Sequence, residues 1–238
     1  MIAQQQAMDI YANNIANVNT SGYKNLRPSF ADCIYTKQRE SIEDWDTGHG
    51  QYVSKTDFMW EEGSFTSTGQ ALDYALPNSG FFQVMDANGD TYLTRDGSFQ
   101  ITQVEDHWEL VNSNGDFVLD YDGNHITVPF ETTANADGTT SETNEIDFSA
   151  LNDSIGVFTV ANNWGLDQAA DNHFAVTDRS GAPIADRGLD KVQYALELST
   201  VNLASEMVHV IETQRSYQLN AKIIQTTDEL QQITNNLR

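Results

Sequence analysis

The sequence predicts an α+β protein, a mainly-β central domain flanked by long N- and C-terminal helices that pair as an antiparallel coiled coil, and three observations predict it. Residues 189–238 contain neither Gly nor Pro, a run that loops and sheets rarely sustain. Residues 1–18 show the same helical spacing of apolar side chains in shorter form. The stretch between is cut into short alternating or aromatic-rich runs by Asn-Gly and Asp-Gly pairs. Three segments follow: residues 1–40 as a helix with an Asn-rich turn, 41–188 as the β-rich domain, and 189–238 as a C-terminal assembly helix.

In the first segment Met8, Tyr11, Ile15 and Val18 stand at heptad spacing before Asn19-Thr20-Ser21-Gly22 stops the helix. The apolar pattern already runs at Ile2 and Ala3, so the helix is expected to start abruptly, as if residues upstream belonged to it. In the middle segment, strands are expected at 81–84, 91–94, 98–102, 108–111 and 117–121. Asn88-Gly89, Asp96-Gly97, Asn114-Gly115 and Asp122-Gly123 supply turns that need positive φ. The run from Asn88 to Gly97 returns 26 residues later as Asn114 to Gly123, a duplicated hairpin that falls short of a stacking repeat. Residues 131–145 are polar and lack periodicity, which predicts an exposed loop or long hairpin centred on Asp137-Gly138.

In the last segment Asn202 is the expected N-cap, and Glu206 lies where it favours the positive end of the helix dipole. Leu203, Met207, Val210, Tyr217, Ala221 and Ile224 form one apolar stripe, interrupted by Gln214. Leu219, Ile223, Leu230, Ile233 and Leu237 form a second on an adjacent face. Two stripes on one helix point to more than one neighbour, the alternative being a helix that folds back on its own domain.

Charge excludes several function classes. The net charge is -23, yet residues 1–40 are net +1 and residues 189–238 net -2, leaving -22 on residues 41–188. Such a middle segment resists close packing and expects water, so the near-neutral ends are expected to associate. An acidic host proteome from a saline habitat is a second possible source of the same excess. Binding to nucleic acid or to an anionic membrane needs clustered Lys and Arg, which are missing. No window approaches the roughly 18 consecutive apolar residues of a membrane span, and the start lacks a cleaved signal's basic and apolar regions, so a soluble chain is expected. The single Cys33 allows no internal disulfide and no Cys-cluster metal site.

Candidate chemistry is sparse. Asp86-Ala87-Asn88-Gly89-Asp90 imitates the opening of a calcium-binding EF-hand loop, but Thr91 stands where that loop needs Gly and Gly97 where it needs Glu. His49, His107, His125, His173 and His209 show no ligand spacing, and no nucleophile elbow, phosphate loop or dinucleotide fingerprint occurs. No cofactor, metal ligand or catalytic residue is therefore assigned.

Three motifs carry a family resemblance. From Ala12 through Asn13-Asn14-Ile15-Ala16-Asn17-Val18-Asn19-Thr20-Ser21-Gly22-Tyr23 to Lys24, the chain resembles the N-terminal signature of flagellar rod and hook proteins. Gly63 to Asp73, Gly80 to Val84 and Tyr92 to Phe99 are similar to that group's β-domain core. Leu196-Glu197, Val201-Asn202-Leu203, Glu206-Met207-Val208 and Gln214-Arg215-Ser216-Tyr217 resemble its C-terminal helix.

The resemblance implies a structural subunit of the bacterial flagellar basal-body rod, with self and other axial proteins and the flagellar export apparatus as partners. It further implies export without signal cleavage and terminal helices that pack around a central channel. On this reading Asn13, Asn14, Asn17 and Asn19 fix register, and Leu203, Met207, Val210, Tyr217, Ile223, Leu230 and Ile233 form the seams. Arg215 and Glu206 are candidate charges for pairing between helices. The reading from a different class is a calcium-dependent or carbohydrate-active acidic β-domain enzyme with a helical tail.

Overall fold

The computed structural model describes residues 1–34, 36–38, 45–104, 107–134, 140–169 and 172–236. The expected centre of the polar hairpin at Asp137-Gly138, and Leu237 of the second stripe, lie outside these residues. The chain is α+β and divides into two compact units: Met1–Val18, Lys24–Met59 and Val201–Arg238 form the first, Asn19–Tyr23 and Trp60–Thr200 the second.

The first unit is built from an N-terminal helix, Ile2–Ala16, a C-terminal helix, Leu203–Asn236, and an antiparallel ribbon of strands Leu26–Asp32 and Gln51–Phe58. The ribbon runs in register from Leu26 opposite Phe58 to Asp32 opposite Gln51, with an irregularity between Ser29 and Phe30. Thr36–Gln38 pairs with Trp45–Thr47 further along the same excursion of the chain. Asn202 caps the long helix as expected, its Oδ1 accepting from the N–H groups of Ala204 and Ser205 at 3.1 and 3.2 Å. The short helix ends at Asn17, whose N–H reaches the carbonyls of Asn13, Asn14 and Ile15.

Its fully covered residues are Ala3, Ala7 and Asn14, whereas Met8, Tyr11, Ile15 and Val18 flank that line half-buried. The heptad reading therefore picked the neighbours of the true contact face. Alanine in the contact line lets two helix axes approach closely, and the larger side chains lie to either side.

The second unit contains, among the described residues, a nine-stranded antiparallel sheet. Its order is Asp167–Gln168, His173–Ala175, Thr91–Thr94, Phe81–Met85, Phe117–Val118, His107–Val111 and Gln100–Val104. Val157–Thr159 also pairs with Phe81–Met85 and carries Ile184–Ala185 on its other side. Short pairs join Phe65–Ser67 to Ala195–Glu197 and Tyr74–Ala75 to Val192–Gln193. The core is Tyr74, Leu76, Phe82, Val84, Phe99, Leu110, Val118, Ile126, Leu151, Ile155 and Val157. The expected strands recur with shifted ends, Phe81–Met85 and Thr91–Thr94 nearly unchanged, Gln100–Val104 starting two residues late and Phe117–Val118 stopping early.

The turns show why. Asp86, Asn112 and Asp120 each use Oδ1 to accept from the N–H groups two and four residues ahead, a loop of one construction made three times. Gly89, Gly115 and Gly123 take φ of 90°, 92° and 84° inside these loops. Gly97 does not belong to this class, because it is needed for space. A Cβ there would lie 1.8 Å from the carbonyl oxygen of Tyr74. The second half of the apparent sequence duplication is thus two different devices. Gly97→Ala should cost about 1–3 kcal/mol through overpacking against backbone. Gly89→Ala, which meets open space, should cost about 1 kcal/mol through its φ alone. Thermal unfolding of both variants checks the order.

Candidate assembly interface

Residue spacing on the two terminal helices brings one polar node and two apolar stripes into defined places. The helices run antiparallel, since Asn14 meets Glu206 while Met1 to Gln4 share a groove of about 620 Å³ with Asn220, Ile223 and Ile224. Asn14 is fully buried. Its Nδ2 donates to the Leu26 carbonyl at 2.8 Å and to Glu206 Oε2 at 3.1 Å, and its Oδ1 accepts from Leu26 N–H at 3.0 Å. Asn25 Nδ2 donates to Glu206 Oε1 at 3.2 Å. A buried carboxylate thus receives one amide on each oxygen, and one amide side chain reads the backbone of residue 26 as a strand partner would.

One turn away Tyr11 stacks on His209, ring centroids 5.1 Å apart. Burial pushes the Tyr11 phenol above its ordinary pKa, and the nearby Glu206 carboxylate adds to the shift while Arg27 opposes it.

At about 100° per residue, the covered positions of the long helix, Glu206, Val210, Thr213, Tyr217 and Ala221, lie on one side. Val208, Ile211, Leu219, Leu230 and Ile233 form a line on the opposite side, Ile223 lies between that line and the groove it shares with Met1 to Gln4, and all six are exposed. The two stripes read in the sequence as adjacent are therefore back to back. Past Ala221 every described residue of the helix is exposed, with Ile223, Leu230 and Ile233 at 62%, 65% and 55%.

The other expected site residues distribute as follows. Leu203, Met207 and Arg215 are exposed, and Val210 and Tyr217 are half-buried beneath the short helix. Asn17 Nδ2 donates to Asn13 Oδ1 at 2.7 Å and to its carbonyl at 2.9 Å, and Asn13 and Asn19 face solvent. Glu206 is engaged by amides. The sequence reading missed Asn25 and Ala7, placed Ala3 in the apolar pattern that opens the short helix, and named Glu206 as a charge for pairing between helices, where the structure gives it two amide partners.

The second unit holds a buried ion pair that the sequence reading also missed. Arg95 Nη1 lies 3.3 Å from Glu197 Oε2 and donates to the Leu76 carbonyl at 3.1 Å, with its guanidinium over Phe81. Glu197 Oε1 accepts from Gly63 N–H at 2.8 Å, and the Glu197 carbonyl accepts from Gly22 N–H at 2.8 Å. Burial lowers the Arg95 pKa, and Glu197 and Glu62 push it back up. Gly22, at φ of 67°, approaches so closely that a Cβ would fall 2.5 Å from the Arg95 carbonyl carbon. Asn19-Thr20-Ser21-Gly22 is thus a packed part of this unit as well as a helix stop.

The EF-hand-like opening is turned inward on itself, Asp86 accepting from Asn88 N–H, Asn88 Nδ2 and Asp90 N–H. Among the described residues, no group of three or more His, Cys, Asp or Glu is placed to hold a metal ion, and no helix is long and apolar enough to cross a membrane. Arg95→Met should destabilise the second unit by about 3–5 kcal/mol, because it leaves Glu197 charged and buried. Adding Glu197→Leu should return a large part of that loss, and denaturant unfolding of both variants checks it.

Comparison with known proteins is consistent along the chain. The family described as "Flagella basal body rod protein" matches residues 1–24, "Flagellar hook protein FlgE/F/G D1 domain" matches 75–142, and "Flagellar basal body rod FlgEFG protein C-terminal" matches 192–237. The flagellar basal-body rod protein FlgG of Borreliella burgdorferi is 35% identical, the match covering 100% of this chain and 95% of that protein. FlgG of Bacillus subtilis is 31% identical, covering 98% and 94%. The flagellar hook-basal body complex protein FlhP of the same organism is 27% identical, also covering 98% and 94%.

Proposed function

Because this chain belongs to the flagellar basal-body rod protein family, we propose that it serves as a structural subunit of the rod by polymerising helically through its terminal helices. The observation that carries the mechanism is the exposed apolar line Val208, Ile211, Leu219, Leu230 and Ile233, opposite the face that the short helix covers, with exposed Ile223 beside it. An isolated chain leaves that surface in water. Packed against sister subunits, each Ile or Leu contributes about 1.5–3 kcal/mol.

On this reading the paired helices extend as an antiparallel coiled coil, and Asn13, Asn17, Asn19 and Arg215 meet neighbouring subunits. The near-neutral ends, 1–40 and 189–238, do the associating, while residues 41–188 remain toward water. Charge supports the division: the first unit carries eight basic and eleven acidic side chains, the second four and twenty-four. Like-charged surfaces with little opposite charge resist close contact with their own copies. Partners are self and other axial flagellar proteins, and delivery is through the flagellar export apparatus without signal cleavage. No observation favours the calcium-dependent or carbohydrate-active alternative.

Ile223→Asn with Leu230→Asn should raise the critical concentration for polymerisation by about a hundredfold or more, two side chains at about a decade each. The second unit's unfolding transition should stay unchanged. Sedimentation of polymer against monomer measures the first and thermal unfolding the second. Normal polymerisation by the double variant would contradict the reading.

A further inference from the structure

We infer that Glu206 is the register-selecting residue of the terminal helix pair, reading Asn14 on one side and Asn25 on the other so that the helices pair in one alignment only. The inference concerns pairing within a single chain and does not depend on polymerisation.

The fully buried line of the short helix offers little choice of alignment by shape. Two of its three fully buried residues are Ala3 and Ala7, which present nearly the same small surface one turn apart. The covered side of the long helix beyond Glu206 carries Val210, Thr213 and Ala221 with the larger His209, Tyr217 and Asn220 among them. Sliding the alanine line by a turn changes its own packing little, because small residues leave shallow knobs and holes. The polar node behaves differently. A slip of one turn places Val210 against Asn14 and Glu206 against Val18, or Asn202 against Asn14 and Glu206 against Ile10.

The Glu206 carboxylate is then buried without donors, and the Asn14 amide loses an acceptor, an arrangement that is strongly disfavoured. The matched state is unique because it needs three chain segments together. Asn14 must also hold the backbone of Leu26 through two hydrogen bonds, and Asn25 must supply the second amide. Glu206 therefore accepts the short helix only when residues 25 and 26 are in place beside it. This is the use of a single buried polar position in helix pairs that is best attested elsewhere, specificity gained at some expense of stability.

The test is disulfide mapping of alignment in the full chain with Cys33→Ser. Tyr11→Cys with His209→Cys reports the observed alignment, since these rings stack. Tyr11→Cys with Ser205→Cys, or with Thr213→Cys, reports a slip of one turn either way. With Glu206 present, the 11–209 bridge should outweigh the slipped ones by about tenfold or more, one decade in an equilibrium constant.

Glu206→Leu, which leaves the Asn14 to Leu26 bonds intact, should keep its helical circular dichroism and form slipped bridges in comparable yield. Glu206→Gln, which keeps an acceptor, should retain the single alignment. The inference is overturned if Glu206→Leu stays folded with the 11–209 bridge still dominant. It is equally overturned if Glu206→Leu loses its helical signal, which would make the residue a source of stability, or if Glu206→Gln scrambles as fully as Glu206→Leu.

Discussion

Cover on the long helix, Leu203–Asn236, stops at Ala221. Between Glu206 and Ala221 its covered side chains share one side, and residues 222–236 are all exposed, so a covered stretch and a fully exposed one meet in a single helix. If the exposed stretch were polar, the contrast would mean little. Instead it carries Ile223, Ile224, Leu230 and Ile233, all exposed, and the apolar line continues back to Val208 on the face turned away from the short helix. Exposed apolar side chains in such a line mark an association surface, as a structural rod subunit requires.

The covered half is held by a different kind of interaction. Between Ala3 and Asn14 the contact is slender, made of alanines and closed at one end by the Asn14, Asn25 and Glu206 node. The node contributes discrimination more than strength, since a carboxylate moved from water into a buried site gains little beyond what hydration already gave it. Strength is concentrated elsewhere, in the aromatic and aliphatic core around Tyr74, Phe82 and Phe99, while Glu197, paired with Arg95, holds Gly22 through its carbonyl. The uneven charge follows the same division, with the unit that bears the apolar helix nearly neutral and the other strongly acidic.

Much of this was legible in the residues. Freedom from Gly and Pro after residue 189 announced the long helix, Asn202 its start, and the Gly-containing turns most of the strands. Other features were hidden for physical reasons. Ala7 carries too little hydrophobicity to stand out, so heptad counting favoured Met8 and Tyr11, its larger neighbours. Asp96-Gly97 matched Asp122-Gly123 in letters, but one glycine serves a positive φ and the other a close approach to Tyr74, a difference that local sequence does not encode. The partners of Glu206 and Glu197 lie 192 and 102 residues away in the chain, and nothing local names them. The roles of the assembly residues themselves concern surfaces between molecules, which a single chain displays only as exposure.

Hydrogen exchange on monomer and polymer, read peptide by peptide, addresses the central claim most directly. The account predicts that amides in residues 219–236 exchange readily in the monomer and become strongly protected in the polymer, while the sheet around Phe82 and Leu110 changes little. Protection gained mainly in the acidic β unit, with residues 219–236 as open in the polymer as in the monomer, would contradict it.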